Sequence, residues 1–236
     1  IIDKAQYHCN VRSKYLPAAS YKFVQQVNGK GVFSFCMCPG GHIVPSATAP
    51  GEVVVNGMSA STRSSRYANS GMVVAIEPED LKIYSKHGEL AGLVFQQEME
   101  KMAWEAGGKT QAAPAQRMVD FTNGKFSNTL NDCSYIPGIN SAPLHELLPS
   151  MISKRLQEGF KTFGRKMKGY FTNEANILGV ESRTSSPVRI PRDEVLLSHP
   201  QIENLYPCGE GAGYAGGIVS AAIDGERCAE AIQKAL

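Results

Sequence analysis

Five glycines fall within nine residues near the end of the chain: Gly209, Gly211, Gly213, Gly216 and Gly217. Glycine in such density removes side chains where a backbone must come close to something. A helix pattern follows, with Ile218, Ala221, Ala222, Gly225, Ala229, Ile232 and Leu236 on one narrow, small-residue face. Its first turn would aim free N–H groups and the positive end of the helix dipole at the same place. An electron-rich or anionic group docked there is one reading. The other is a tight strand-to-helix turn, led by Leu205-Tyr206, whose glycines serve packing alone.

Further residues offer weaker chemistry. Cys36 and Cys38 stand two apart in an apolar run and would share a face of a strand. They could act as redox partners or fill a core as two small apolar residues; a C-x-C pair is not the usual dithiol spacing. Cys208, just ahead of the glycines, reads as packing. Arg63 and Arg66, among Ser61, Ser64 and Ser65, could receive an anion, but such residues more often form a solvated loop. The five histidines, His8, His42, His87, His145 and His199, lack ligand spacing. His42, beside Gly40-Gly41, is the acid–base candidate among them. The six cysteines, with Cys9, Cys133 and Cys228 completing the set, make no zinc pattern and no metal is expected. They read as buried thiols of a reducing cytosol.

The elements that must position these groups can be read in outline. The chain has 236 residues, 42% hydrophobic and 19% charged, with a net charge of +2. That suits an ordinary globular protein and gives no case for nucleic acid or an acidic membrane surface. No apolar run reaches membrane-spanning length and no signal peptide opens the chain, so a cytoplasmic location is expected. Tyr21–Val27 and Val32–Cys38 flank Asn28-Gly29-Lys30-Gly31 and suggest a hairpin. Ile43-Val44, Glu52–Asn56, Gly71–Ile76 and Leu196-Leu197 read as short strands. Leu93, Val94, Gln97, Met99, Met102 and Trp104 suggest a helix from Glu89, closed by Gly107-Gly108. Pro114–Phe121 suits a strand or a short helix. A second helix is expected from His145 to about Lys168, with Pro149 in its first turn.

Three stretches resemble one family. They are Leu205–Gly225; Phe33–Gly41 with Val55-Asn-Gly-Met-Ser59 and Tyr67-Ala-Asn-Ser70; and Glu181-Ser-Arg-Thr-Ser-Ser-Pro-Val-Arg-Ile190. In their order along the chain they resemble bacterial FAD-dependent dehydrogenases of the NAD(P)/FAD-dependent oxidoreductase group. The resemblance implies an α+β or α/β fold: a mixed-sheet inserted domain flanked by helices at 1–180, then a strand–glycine-turn–helix part of a Rossmann-like FAD domain at 181–236. No G-x-G-x-x-G follows a strand here. The chain is therefore identified with the C-terminal portion of such a protein, without the N-terminal half that holds the pyrophosphate. FAD binding by these residues alone is expected to be weak or nil.

The resemblance also implies roles. Gly209, Glu210, Gly211, Ala212, Gly213, Gly216, Gly217 and Ile218 would face the flavin, with Ser185 nearby. The helix start would meet the N1/O2 edge, where negative charge grows on reduction. Arg183, Ser185 and Ser186 would pass near flavin and substrate, and Arg183 could bind a substrate carboxylate or make a surface ion pair. The implied activity is hydride transfer between an organic substrate and FAD, with NAD(P)H as a potential electron partner. A non-redox module binding a small anion or a partner chain is the alternative. Self-association through a surface left by the missing half is a further expectation.

Overall fold

The computed structural model describes residues 8, 13–16 and 22–235, with the side chain of Cys36 excepted. Cys9, Tyr21 and Leu236 lie outside the described residues. The described residues form two compact units, one of those up to 77 with 98–182, the other of 78–97 with those from 183 on.

The first unit is α+β and holds three small sheets, the mixed-sheet class expected. Strands β1 (Phe23–Val27) and β2 (Lys30–Pro39) form the expected antiparallel hairpin. Asn28 and Gly29 turn it with φ of 51° and 75°, the left-handed pair that a two-residue hairpin requires. Strand β5 (Ala68–Val74) pairs on the other side of β2. Strands β3 (His42–Pro45) and β4 (Val55–Met58) make a two-stranded ladder. The strand expected at 52–56 thus pairs only from Val55; Val53 and Val54 are buried ahead of the ladder.

The mixed sheet is built around β6 (Ala113–Arg117), parallel to β7 (Ile139–Ser141) and antiparallel to β8 (Asn176–Leu178). Both readings of 114–121 hold: β6 passes straight into helix α2 (Met118–Thr122). Arg117 stays extended and turns the chain, its N–H donating to the Ser127 hydroxyl. The expected helix at 145–168 is two helices, α3 (Leu144–Leu147) and α4 (Ser150–Lys166). Leu148 is extended because it precedes Pro149, and Pro149 has no N–H to continue a helix.

Helix α4 buries Leu156, Gly159, Phe160 and Phe163. Gly159 lets it lie close on β2: a Cβ there would come 2.7 Å from Val32 Cγ1. Phe163 stacks on Phe23 with centroids 5.2 Å apart, and Tyr170 meets both edge-on. The Tyr170 hydroxyl is 2.9 Å from the hydroxyl of Ser34, which is wholly buried and so needs that partner. Helix α1 (Ala91–Ala106) ends as expected at Gly107 and Gly108, the latter at φ 83°. Its buried positions in the first unit are Glu100 and Ala103, and Glu100 accepts from the Ser182 hydroxyl at 2.6 Å.

The second unit has no strand among its described residues. A run of 3₁₀ turns (Pro78–Leu90), broken at Gly88, leads into α1, where Tyr84 packs edge-on to Phe95. Leu205-Tyr206 and Leu196-Leu197 were expected to be strands; neither has a ladder partner, and Leu196 sits in a turn. Helix α5 (Ile218–Ala235) follows the glycine turn. Its buried positions are Asp224 and Cys228, rather than the small-residue face expected: Ala222, Ala229 and Ile232 are exposed. No described helix is long and apolar enough to cross a membrane.

Candidate functional site

The glycine turn is built on the extended strip before it. Ile190 N–H donates to Ala212 O at 3.1 Å, the Ser186 hydroxyl to Gly211 O at 3.2 Å, and the Tyr214 hydroxyl to Ile190 O at 2.8 Å. Two of the stretches singled out in the sequence therefore lie side by side. Inside the turn, Tyr214 N–H reaches Gly209 O and Gly213 N–H reaches Glu210 O, both at 2.9 Å.

The five glycines divide by what surrounds them. Gly209 and Gly213 take left-handed φ of 72° and 85°. A Cβ on Gly213 would meet Val188 O at 2.8 Å. These two serve the turn itself. Around Gly211 and Gly216 a Cβ would meet nothing within 4 Å, and at Gly217 it would meet only the Ser220 hydroxyl at 4.0 Å. No close approach among the described residues accounts for those three. Gly216 and Gly217 directly precede the first turn of α5, whose N–H groups have no acceptor four residues back. Gly216 N–H is the exception, donating to Ser220 Oγ at 3.3 Å. Ile218 is 91% exposed, Ser185 is exposed, and Ala212 is buried under the turn. Glu210 is half-buried.

A buried ion pair holds this arrangement. Both terminal nitrogens of Arg192 donate to Asp224, each at 3.0 Å. Arg192 also donates to Pro207 O at 2.9 Å, and Asp224 accepts from Gly209 N–H at 2.8 Å. Hydrogen bonding to Arg192 holds the Asp224 carboxyl below its ordinary range. The guanidinium lies 3.6 Å from the Tyr214 ring centroid. Sequence reasoning assigned neither residue a role. The signal was Asp224, a lone acid in the small and apolar start of a helix.

In the first unit the remaining stretches meet on one sheet face. Cys38 pairs directly with Asn69 across β2 and β5, so their side chains share a face. Between Phe35 and Cys38 the register shifts by one residue. Such a bulge breaks strand alternation. The expectation that Cys36 and Cys38 point to one face turns on the Cys36 side chain, which lies outside the described residues. Asn69 Oδ1 presses on Gly57 of β4, where a Cβ would stand 2.0 Å away. Two residues along β5, Gly71 makes room for Glu181, whose Oε2 would be 2.8 Å from a Cβ.

The electrostatics of this face disfavour charge. Burial raises Glu181 to about 7. Burial also raises Cys38, with Glu181 pushing the same way and Ser59 and Arg63 opposing. Cys38 is thus a protonated thiol at neutral pH, which weakens its reading as a nucleophile. His42 is exposed at the start of β3, opposite Met58. Arg63 and Arg66 are both exposed, and Arg66 pairs with Asp132 at 3.2 Å, as a solvated loop residue would. Arg183 is half-buried and belongs to the second unit, Cys38 and His42 to the first. Glu181 was quoted in the sequence without a role; a carboxyl directly after Ile177-Leu-Gly-Val180 was the available signal.

Residues 1–184 match the model of a family described as FAD-dependent protein, C-terminal domain-like. The chain belongs to this family. It is also 42% identical over 236 residues to an uncharacterized protein of Clostridium beijerinckii, covering 98% of this chain and 44% of that protein. The chain spans less than half the length of the curated relative it matches. Membership in the FAD-dependent family supports a flavoprotein-related role. The matched residues include the whole Cys38–Asn69–Glu181 face and stop short of the glycine turn.

Proposed function

We propose that this chain contributes the ring end of an FAD site in an oxidoreductase, with Gly211, Gly216, Gly217 and the start of α5 against the flavin. The observation that carries the reading is the open space at those three glycines, ahead of a helix N-terminus. Room for a flat group and a positive dipole end fit an isoalloxazine ring. Bound flavin supplies two-electron hydride chemistry that no side chain can. The chain's own residues orient and polarise. Asp224 fixes Gly209, and Arg192 ties Asp224 to Pro207 and Tyr214, so the turn keeps its shape. The substrate is a small organic molecule that exchanges a hydride with the flavin.

Titration of FAD and riboflavin with the chain, followed by flavin fluorescence, tests this. Weak, saturable quenching of both with similar affinity is expected, because the contacts are to ring and ribityl rather than pyrophosphate. Quenching by FAD alone, or none by either, rejects the reading. The second of those outcomes leaves the non-redox binding module standing.

A further inference from the structure

We propose that the face formed by β2, β4 and β5 is a small-molecule site of its own. It takes a neutral carbonyl compound, with the carbonyl oxygen on Asn69 Nδ2 and Glu181 giving or taking the ligand's proton. The inference uses the first unit alone and does not rest on the flavin reading.

Four observations converge. Asn69 Nδ2 is buried and has no acceptor among the described residues. Leaving such a donor unmet is costly, so native folds seldom retain one without a use. Glu181 makes no hydrogen bond or ion pair among the described residues, although it is mostly buried. Asn69 and Gly71 lie two apart on β5, which sets the Asn69 amide and the Glu181 carboxyl over one face. The bulge at Cys36-Met37 re-aims β2 so that Cys38 stands opposite Asn69. Bulges are over-represented beside sites for this reason.

The donor and the carboxyl define the ligand class. A lone carboxamide N–H takes an acceptor oxygen. A carboxyl that changes charge near neutrality gives or takes one proton. An anionic ligand would be repelled by the Glu181 carboxylate. The ionisable groups that face one another here are Cys38 from β2, Arg63 from the loop after β4, and Glu181 itself. Glu100 on α1 is engaged by Ser182.

Acetamide is the binding probe, and iodoacetamide, the same carbonyl with a leaving group, is the reporter. Carbamidomethylation of Cys38 forms a C–S bond and breaks C–I; iodide leaves and the thiol proton passes to the Glu181 carboxylate. Peptide mapping by mass spectrometry resolves Cys38 from the other cysteines. Acetamide should shift the Asn69 side-chain amide resonance in a saturable way and slow Cys38 labelling. Asn69→Ala should need about fivefold to tenfold more acetamide for the same protection, the size of one hydrogen bond. The labelling rate should step near pH 7 in the native chain and lose that step in Glu181→Gln. Should Glu181→Gln fold poorly, carbon-13 NMR of the native Glu181 carboxyl reads the same midpoint directly. An unmoved Asn69 resonance with unprotected Cys38 overturns the site. A native Glu181 that titrates as an ordinary glutamate, or a step that survives Glu181→Gln, overturns its role.

Discussion

Arg192 and Asp224 meet as a two-pronged pair, Nη1 to Oδ2 and Nη2 to Oδ1, each at 3.0 Å, with only 7% of either side chain exposed. The pair joins the extended strip to α5, the helix that follows the glycine turn. Asp224 also takes the N–H of Gly209, so one carboxylate fixes both the helix and the turn's first glycine. Among its described residues the second unit has no strand ladder to hold its segments together.

Breaking that pair should therefore loosen the turn before anything else. Arg192→Met leaves a buried carboxylate whose remaining hydrogen bond among the described residues is from Gly209 N–H, a loss of about 3 kcal/mol. Limited proteolysis should then cut within 183–217 first, while the first unit stays protected. Cleavage patterns indistinguishable from the native chain would contradict this. The contribution of Asp224 is present above its ordinary range and fades as pH falls through its lowered value.

Glu181 works in the opposite sense. Its folded value of about 7 lies above the ordinary 4.5, so the folded chain binds more protons between those limits. Unfolding free energy should then fall as pH rises from about 4.5 to 7 and level off beyond, by at most about 3 kcal/mol from this group. Urea denaturation at stepped pH measures it. Glu181→Gln should flatten that window; a slope that persists in the variant assigns the dependence elsewhere.

Gly159 tests the packing of α4 on β2. A methyl at this position would come 2.7 Å from Val32 Cγ1 and 3.1 Å from Met72 Cε. Val32 is wholly buried and β-branched, so it cannot swing away. Helix propensity alone would favour Gly159→Ala by about 1 kcal/mol. The clash should win, leaving the variant less stable by about 1–3 kcal/mol by denaturant titration. A stabilised variant would show that the two elements can part without cost.

What the sequence disclosed follows from how local each signal is. Asn28-Gly29 encodes its hairpin in two residues, and Gly107-Gly108 ends α1 just as locally. Pro149 was legible as a helix-start residue, yet its effect on Leu148 splits one expected helix into two. The glycine turn was read as a single device, whereas two glycines serve the turn and three face open space. Only the crossing of Val188 beneath Gly213 draws that line. Glu181, Asn69 and Asp224 escaped because their meaning is non-local. Asn69 and Glu181 stand more than a hundred residues apart in the chain, and a one-residue bulge at Cys36-Met37 decides which side chain faces them. The strand expected at Leu205-Tyr206 failed for a related reason: β propensity makes an extended segment, but only a neighbouring strand makes a ladder.

The division among the glycines gives the last prediction. Gly213→Ala introduces a Cβ at a φ of 85° and 2.8 Å from Val188 O, so it should damage the turn itself. Gly216→Val meets open space and has an ordinary backbone, so the fold should survive. If flavin lies against α5, the valine occupies its place. Circular dichroism and thermal midpoint should then be native for Gly216→Val, and flavin quenching should be lost. Gly213→Ala should lower the midpoint and weaken quenching together. A Gly216→Val chain that quenches like the native one would mean that the open face serves no ring, and that the helix dipole acts on nothing there.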